Sequence, residues 1–251
     1  MKYLIPFFML LVLVSCTRTY YYGAGNFVTE SSVLPKPVYR GERAKGTYLQ
    51  GSYYHTLEDE PTEVNPIEFS SIQLGELSYI KSYTGKNINA AYSAIVHGGV
   101  YDANAVGEFN GGSKNFFGGG VTGELNLNIP FNRVDWRIIG GKFSMMYEGG
   151  DYYYFRKDVY KKYGTSYSKE DFNVINFNPR KLYVNFSLTW EVVYKLKNGA
   201  IGYWESYGGR DKTFVLGKCL YYTRRKLTGF IQINGDMQGA YLGGGLIFQI
   251  D

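Results

Sequence analysis

The stretch Leu182-Tyr183-Val184-Asn185-Phe186-Ser187-Leu188-Thr189-Trp190-Glu191-Val192-Val193-Tyr194 decides the fold class. Leu182, Val184, Phe186, Leu188, Trp190, Val192 and Tyr194 fall on one parity, and Tyr183, Asn185, Ser187, Thr189 and Glu191 on the other. Side chains of an extended chain alternate between faces, so a period of two marks a strand with one apolar and one polar face. The pattern recurs at Phe117, Val121, Leu125, Leu127 and Ile129, set against Thr122, Glu124, Asn126 and Asn128. It returns at Ile88, Ala90, Tyr92, Ala94, Val96 and Val100, and again at Ala240, Leu242, Leu246, Phe248 and Ile250. Weaker versions cover about 46–56, 68–82, 134–147, 200–208, 213–224 and 227–234, so the expected number of strands is about ten. Around Gly140-Gly141 the apolar phase moves from Val134, Trp136 and Ile138 to Phe143, Met145 and Tyr147, which predicts a bulge.

The connections alternate in length. Polar segments Leu57 to Ile67, Asp102 to Lys114 and Glu148 to Lys181 follow the first, third and fifth strands, whereas Thr84 to Lys86, Pro130 to Arg133 and Lys197 to Gly199 are tight turns. Long connections at one end and turns at the other are the layout of an up-and-down membrane barrel. The later connections, Gly209 to Lys212 and Asn234 to Gln238, are short at both ends. The fold class expected is all-β, an antiparallel up-and-down β-barrel.

Two barrels share such a pattern, a water-soluble one with its apolar face inside and a membrane one with that face outside. The polar parity decides. A soluble exterior is rich in Lys and Glu, but here that parity is mostly Gly, Ser, Thr, Asn and Tyr, which suits the crowded interior of a small membrane barrel. Tyr101, Trp136, Tyr147, Tyr194 and Trp204, near strand ends, are candidates for interfacial girdles.

Upstream, Lys2 precedes an apolar run from Tyr3 to Val14, the h-region of an export signal and too short to span a membrane stably. It ends in Leu13-Val14-Ser15-Cys16, which resembles the lipobox of bacterial lipoproteins. That resemblance implies cleavage before Cys16 and acylation, palmitate included, of this cysteine. Across 46–251 the strand pattern resembles the outer-membrane β-barrels, in particular the barrel-forming lipoproteins of the Bacteroidota. The expected division is a lipoprotein signal peptide over 1–15, a lipidated tether over 16–45 and a barrel domain over 46–251. The tether, with Gly23, Gly25 and Pro35-Lys36-Pro37, is expected on the periplasmic side. Part of it could dock on the body, Tyr20-Tyr21-Tyr22 being the candidate, with headgroup-level tyrosines as the alternative.

Composition narrows the chemistry. The chain carries 26 Tyr, 16 Phe and 32 Gly against 7 Pro, a strand-and-turn mixture. A formal net charge of +5, without a basic cluster beyond Arg224-Arg225-Lys226, excludes nucleic acid as an expected partner. With Cys16 acylated, Cys219 has no intramolecular partner, so no disulfide is expected. Gly118 to Gly123 matches G-x-G-x-x-G, but a strand rather than a helix follows it, and Asn185-Phe186-Ser187 sits mid-strand, so neither is read as a site. With only His55 and His97, and no metal-spaced cluster, no metal or cofactor is expected. His97, a few residues before Asp102, is the candidate for a rim-site hydrolase, yet Gly98-Gly99 follows it instead of the His-x-Ser of barrel deacylases.

The segment Glu148 to Lys181 is the candidate for partner contact. Tyr152, Tyr153, Tyr154 and Phe155 stand beside Arg156 and Lys157, aromatics interleaved with cations. Phe155, Val159 and Tyr163 recur at helical spacing and predict about two turns of helix. The alternative for these aromatics is a plug folded over the barrel mouth. Three functional expectations follow: a non-enzymatic outer-membrane lipoprotein barrel serving an envelope assembly, a lipid-tethered periplasmic barrel whose apolar faces hold a lipid-like ligand, and a barrel hydrolase using His97.

Overall fold

The computed structural model describes residues 18–21, 28, 33–57, 71–103, 105–164, 166–168, 174–177, 179–210, 213–236 and 239–251. Residues 1–15, expected from the sequence to be a signal peptide, and Cys16 lie outside them.

Ten strands close a barrel: β2 (Ala44–Leu57), β3 (Ser71–Thr84), β4 (Ile88–Ala103), β5 (Gly112–Pro130), β6 (Val134–Gly149), β9 (Leu182–Leu196), β10 (Gly199–Arg210), β11 (Thr213–Arg224), β12 (Leu227–Asp236) and β13 (Gly239–Gln249). Each pairs antiparallel with the next strand of the barrel, and β13 pairs with β2, so no edge is left open. The expected bulge is present. The register between β6 and β9 slips between Arg137 and Gly140, and that between β5 and β6 slips between Leu127 and Asn128.

The connection from β6 to β9 carries α1 (Asp151–Tyr163) and two short strands, β7 (Ser166–Ser168) and β8 (Val174–Phe177). The helix, 13 residues long, exceeds the expected two turns. Gly150 opens it at φ +105°, and a Cβ there would meet the Asn115 carbonyl oxygen at 2.7 Å, so the turn from β6 into α1 requires glycine. A further strand, β1 (Arg18–Tyr21), pairs parallel with β8.

Inside the barrel the side chains form layers. At the long-connection end Tyr54, Ile72, Leu74, Tyr101, Phe116, Met146 and Tyr241 form an apolar cluster that includes Val28 and α1. Toward the turn end Tyr48, Ile80, Trp204, Phe230 and Ile247 form a second, which includes Val33 and Leu34. Between them lies a polar belt with Gln50, Glu76, Ser78, His97, Thr122, Lys142, Ser144 and Ser187, all buried. Of the segment expected as a tether, Val28, Val33, Leu34 and Lys36 are buried within the barrel, so part of it docks on the body, and Arg40 is exposed at the rim.

Candidate functional site

The outer surface sets the solvent. Leu77 (65 % exposed), Phe117 (62 %), Val184 (61 %) and Leu246 (60 %) stand out around the wall with Leu125, Ile139, Phe186, Leu188 and Ile231, while the polar parity points inward. An apolar exterior over a polar lumen is the arrangement of a membrane barrel, reversed from that of a soluble one. Trp136, Tyr194, Tyr222 and Phe248 project outward near the turns, and Tyr147 and Phe117 near the long connections. Two expected girdle members are corrected. Tyr101 and Trp204 are buried on the lumen parity, Tyr101 stacked on Tyr152 at 4.0 Å and Trp204 under the Lys142 ammonium at 5.1 Å.

At mid-strand the apolar wall is interrupted in a way the periodicity did not announce. On β9, β10 and β11 the Glu205 carboxylate accepts hydrogen bonds from Trp190 Nε1 at 2.7 Å and from the Tyr203 and Tyr207 hydroxyls. Lys218 Nζ lies 3.8 Å away and is half exposed. An ion pair at mid-strand on a face otherwise suited to lipid is unfavourable by about 2–4 kcal/mol for a lysine at the bilayer midplane.

The turn end is closed by the N-terminal segment. Lys36 Nζ, fully buried, sits 3.1 Å from Glu124 and 3.5 Å from Glu191. Arg137, also buried, donates to Glu191 Oε2 at 2.7 Å and to the Pro37 carbonyl at 2.9 Å. Thr84 donates to the same carbonyl at 2.7 Å, and the Tyr39 amide donates to Asp135 at 2.8 Å. Arg40 completes the rim by donating to the Leu196 and Gly199 carbonyls at 2.8 and 3.1 Å. Between this segment and the wall remains a cavity of about 430 Å³, lined by Tyr48, Tyr221, Phe230 and Ile247 and ringed by Arg40, Lys197, Arg225 and Lys226.

The long-connection end is closed by α1. Tyr152, Phe155 and Val159 join the apolar cluster there, and Tyr153 is also buried. Arg156, fully buried, pairs with Glu148 and donates to the Tyr183 hydroxyl at 2.8 Å, with its guanidinium over the Tyr152 ring. Burial pulls the Arg156 guanidinium down, but Glu148 and Tyr183 outweigh it and hold it above its ordinary value, while burial keeps the Tyr152 phenol well above its own. Of the candidate contact residues, Tyr152, Phe155 and Arg156 therefore face the barrel as a plug. Tyr154 is exposed and Lys157 partly so.

His97 is brought beside Glu76, its cross-strand neighbour, rather than beside Asp102. Both ring nitrogens of His97 and both carboxylate oxygens of Glu76 are without a hydrogen-bond partner among the described residues. Asp102, five residues and about 16 Å farther along β4 at about 3.3 Å per residue, accepts from Ser71 at 3.1 Å and from Ser113. The rim-hydrolase expectation thus lacks its constellation. The glycines Gly118 and Gly120 of the G-x-G-x-x-G match lie within β5, where a Cβ on Gly118 would meet the Tyr147 carbonyl oxygen at 2.0 Å. Close approach to the neighbouring strand accounts for that residue. Cys219 is a free, buried thiol.

No protein-family model matches the chain, and no curated protein does. Among solved structures it is similar to a KdgM porin in complex with disordered oligogalacturonate, at 10 % identity over 83 % of this chain and 100 % of that one, with a TM-score of 0.33. It is also similar to the beta domain of the Bordetella autotransporter BrkA, at 8 % identity over 82 % and 99 %, with a TM-score of 0.44.

Proposed function

We propose that the chain is a non-enzymatic outer-membrane lipoprotein barrel, acylated at Cys16 and serving as a structural or accessory component of an envelope assembly. The observation that carries the reading is the apolar outer wall around a polar, plugged lumen. Both mouths are occupied, by residues 33–40 at one end and α1 at the other, so the barrel is not an open pore. The ligand-carrier alternative loses ground, because the apolar strand faces point outward and the internal cavity has a cationic rim.

The accessory role draws support from the Glu205–Lys218 break in the wall. Acyl chains offer Lys218 no acceptor, whereas a neighbouring membrane protein can, and ionisable groups at membrane depth mark functional surfaces. The outer face of α1, with Tyr154, Lys157 and Tyr160, is the second surface for a protein partner. The experiment is fractionation of a Cys16→Ala protein exported behind a non-lipoprotein signal, beside intact-mass measurement of the wild type. The variant is expected to stay in the outer-membrane fraction through carbonate washing and to migrate differently with and without boiling, and the wild-type mass to begin at an acylated Cys16. Recovery of the variant as a stable soluble protein would overturn membrane insertion.

A further inference from the structure

We infer that the N-terminal segment is threaded through the barrel and that its acylated end emerges on the long-connection side, the cell surface. The inference rests on the membrane-barrel reading above and adds the direction of the chain.

The direction follows from four heights. Arg40 is bound at the turn rim by the carbonyls of Leu196 and Gly199. Lys36 is higher, between Glu124 and Glu191, and Val33 and Leu34 pack in the turn-side apolar cluster. Val28, with no exposed surface, belongs to the other cluster, with Leu74, Tyr101, Phe116 and the helix residues Tyr152 and Val159. Arg18–Tyr21 pairs with Val174–Phe177, inside the connection between β6 and β9. Read backwards from β2, the described residues step from the turns to the long connections and end on β8, within the connection between β6 and β9.

Length permits this. Twelve residues from Val28 to Arg40 reach about 40 Å at about 3.3 Å each, and a strand of the barrel, 14 residues in β2, rises about 35 Å when tilted at about 40°. Cys16 precedes Arg18 by two residues, so chain continuity keeps it within about 7 Å of β1. Outer-membrane barrels place short turns in the periplasm and long loops outside. An acyl group on Cys16 is then a ligand for the outer leaflet, and a periplasmic tether is replaced by a surface-facing anchor.

The test is labelling of intact cells that express the full chain, using a large membrane-impermeant maleimide and single substitutions at three places. Asn110→Cys reports the long-connection end, Asn198→Cys the turn end and Thr19→Cys the threaded segment, with Arg18→Cys replacing the last if it does not accumulate. The native Cys219 is buried. Labelling of Thr19→Cys and Asn110→Cys in intact cells, with Asn198→Cys reacting only after lysis, is the expected result. Labelling of Asn110→Cys alone, with Thr19→Cys silent until lysis, overturns the threading while leaving the barrel reading in place. Labelling of Asn198→Cys with Asn110→Cys silent overturns the orientation itself, and the inference with it.

Discussion

The two mouths of the lumen are closed by unlike means. At the turns an extended segment sits among charges: Lys36 between two glutamates, Arg137 on carbonyls and a carboxylate, Asp135 on an amide. At the long connections a helix sits on Tyr101, Ile72, Leu74 and Phe116, with one buried ion pair, Arg156 with Glu148. Backbone explains the contrast. An extended strand without a ladder has no internal partners for its N–H and C=O groups, so the wall must supply them. Pro35 and Pro37 remove two donors from that demand, and Arg137, Thr84 and Asp135 meet part of the remainder. A helix satisfies its own interior, so an apolar surface suffices beneath it. Charge at one mouth and aromatics at the other are thus consequences of the backbone that closes each.

The largest effect is expected at the turn end. Arg137→Met removes the nearest cation from Glu191, which keeps Lys36 and the Tyr221 hydroxyl, and one of the two donors to the Pro37 carbonyl, and should destabilise the barrel by about 3–5 kcal/mol, the range for breaking a buried pair. Unfolding by urea in detergent micelles, followed by heat-dependent migration, measures it. Adding Glu191→Gln should recover little, because the Pro37 carbonyl still lacks its guanidinium and Lys36 loses one of its two acids. At the helix the single variant Arg156→Met should cost about 3 kcal/mol by removing the cation against which Glu148 is buried. There the double variant Arg156→Met with Glu148→Gln should recover most of the loss, since α1 rests mainly on apolar contacts. Equal recovery at both mouths would break the comparison.

Much of this was legible beforehand, and the missing part has a physical pattern. Strands, turn positions and the bulge near Gly140 followed from a period of two, because each residue's parity is local information. Whether the apolar parity faced out was legible from Asn, Ser and Thr standing where a soluble surface would carry Lys and Glu. Parity also held the correction for Tyr101 and Trp204: Val96 and Val100 point one way, so Tyr101 points the other. The lumen plug was not legible, since residues 33–40 have no periodicity and are held by Glu124, Arg137 and Glu191, far away in the chain. Only Pro35-Lys36-Pro37 hinted at it, as an extended piece with few amides to satisfy. Glu205 was hidden for a different reason. Its three hydrogen-bond donors make an acid tolerable at a parity that otherwise reads as lipid-facing.

The smallest effect on stability separates the two sides of α1. Tyr152 is stacked on Tyr101 and buried, so Tyr152→Ser removes a packed ring and should cost about 3 kcal/mol, as large-to-small changes of aromatic core residues do. Tyr154, 54 % exposed, and Tyr160 stand on the opposite side, where substitutions change stability by about 0.5 kcal/mol or less. Tyr154→Ser with Tyr160→Ser should therefore leave the urea midpoint in place while depleting whichever envelope protein co-purifies with the wild type, because exposed aromatics carry a large share of interface energy. A folded double variant with an undiminished partner removes this face as a binding surface and leaves α1 as a plug alone. A shifted midpoint would mean that the outer face also holds the helix down, through the contacts of Tyr154 with Tyr153 at 5.3 Å and Lys181 at 5.7 Å. Only an unchanged midpoint together with a lost partner assigns the two faces of one helix to two tasks, closing the barrel within and meeting a protein outside.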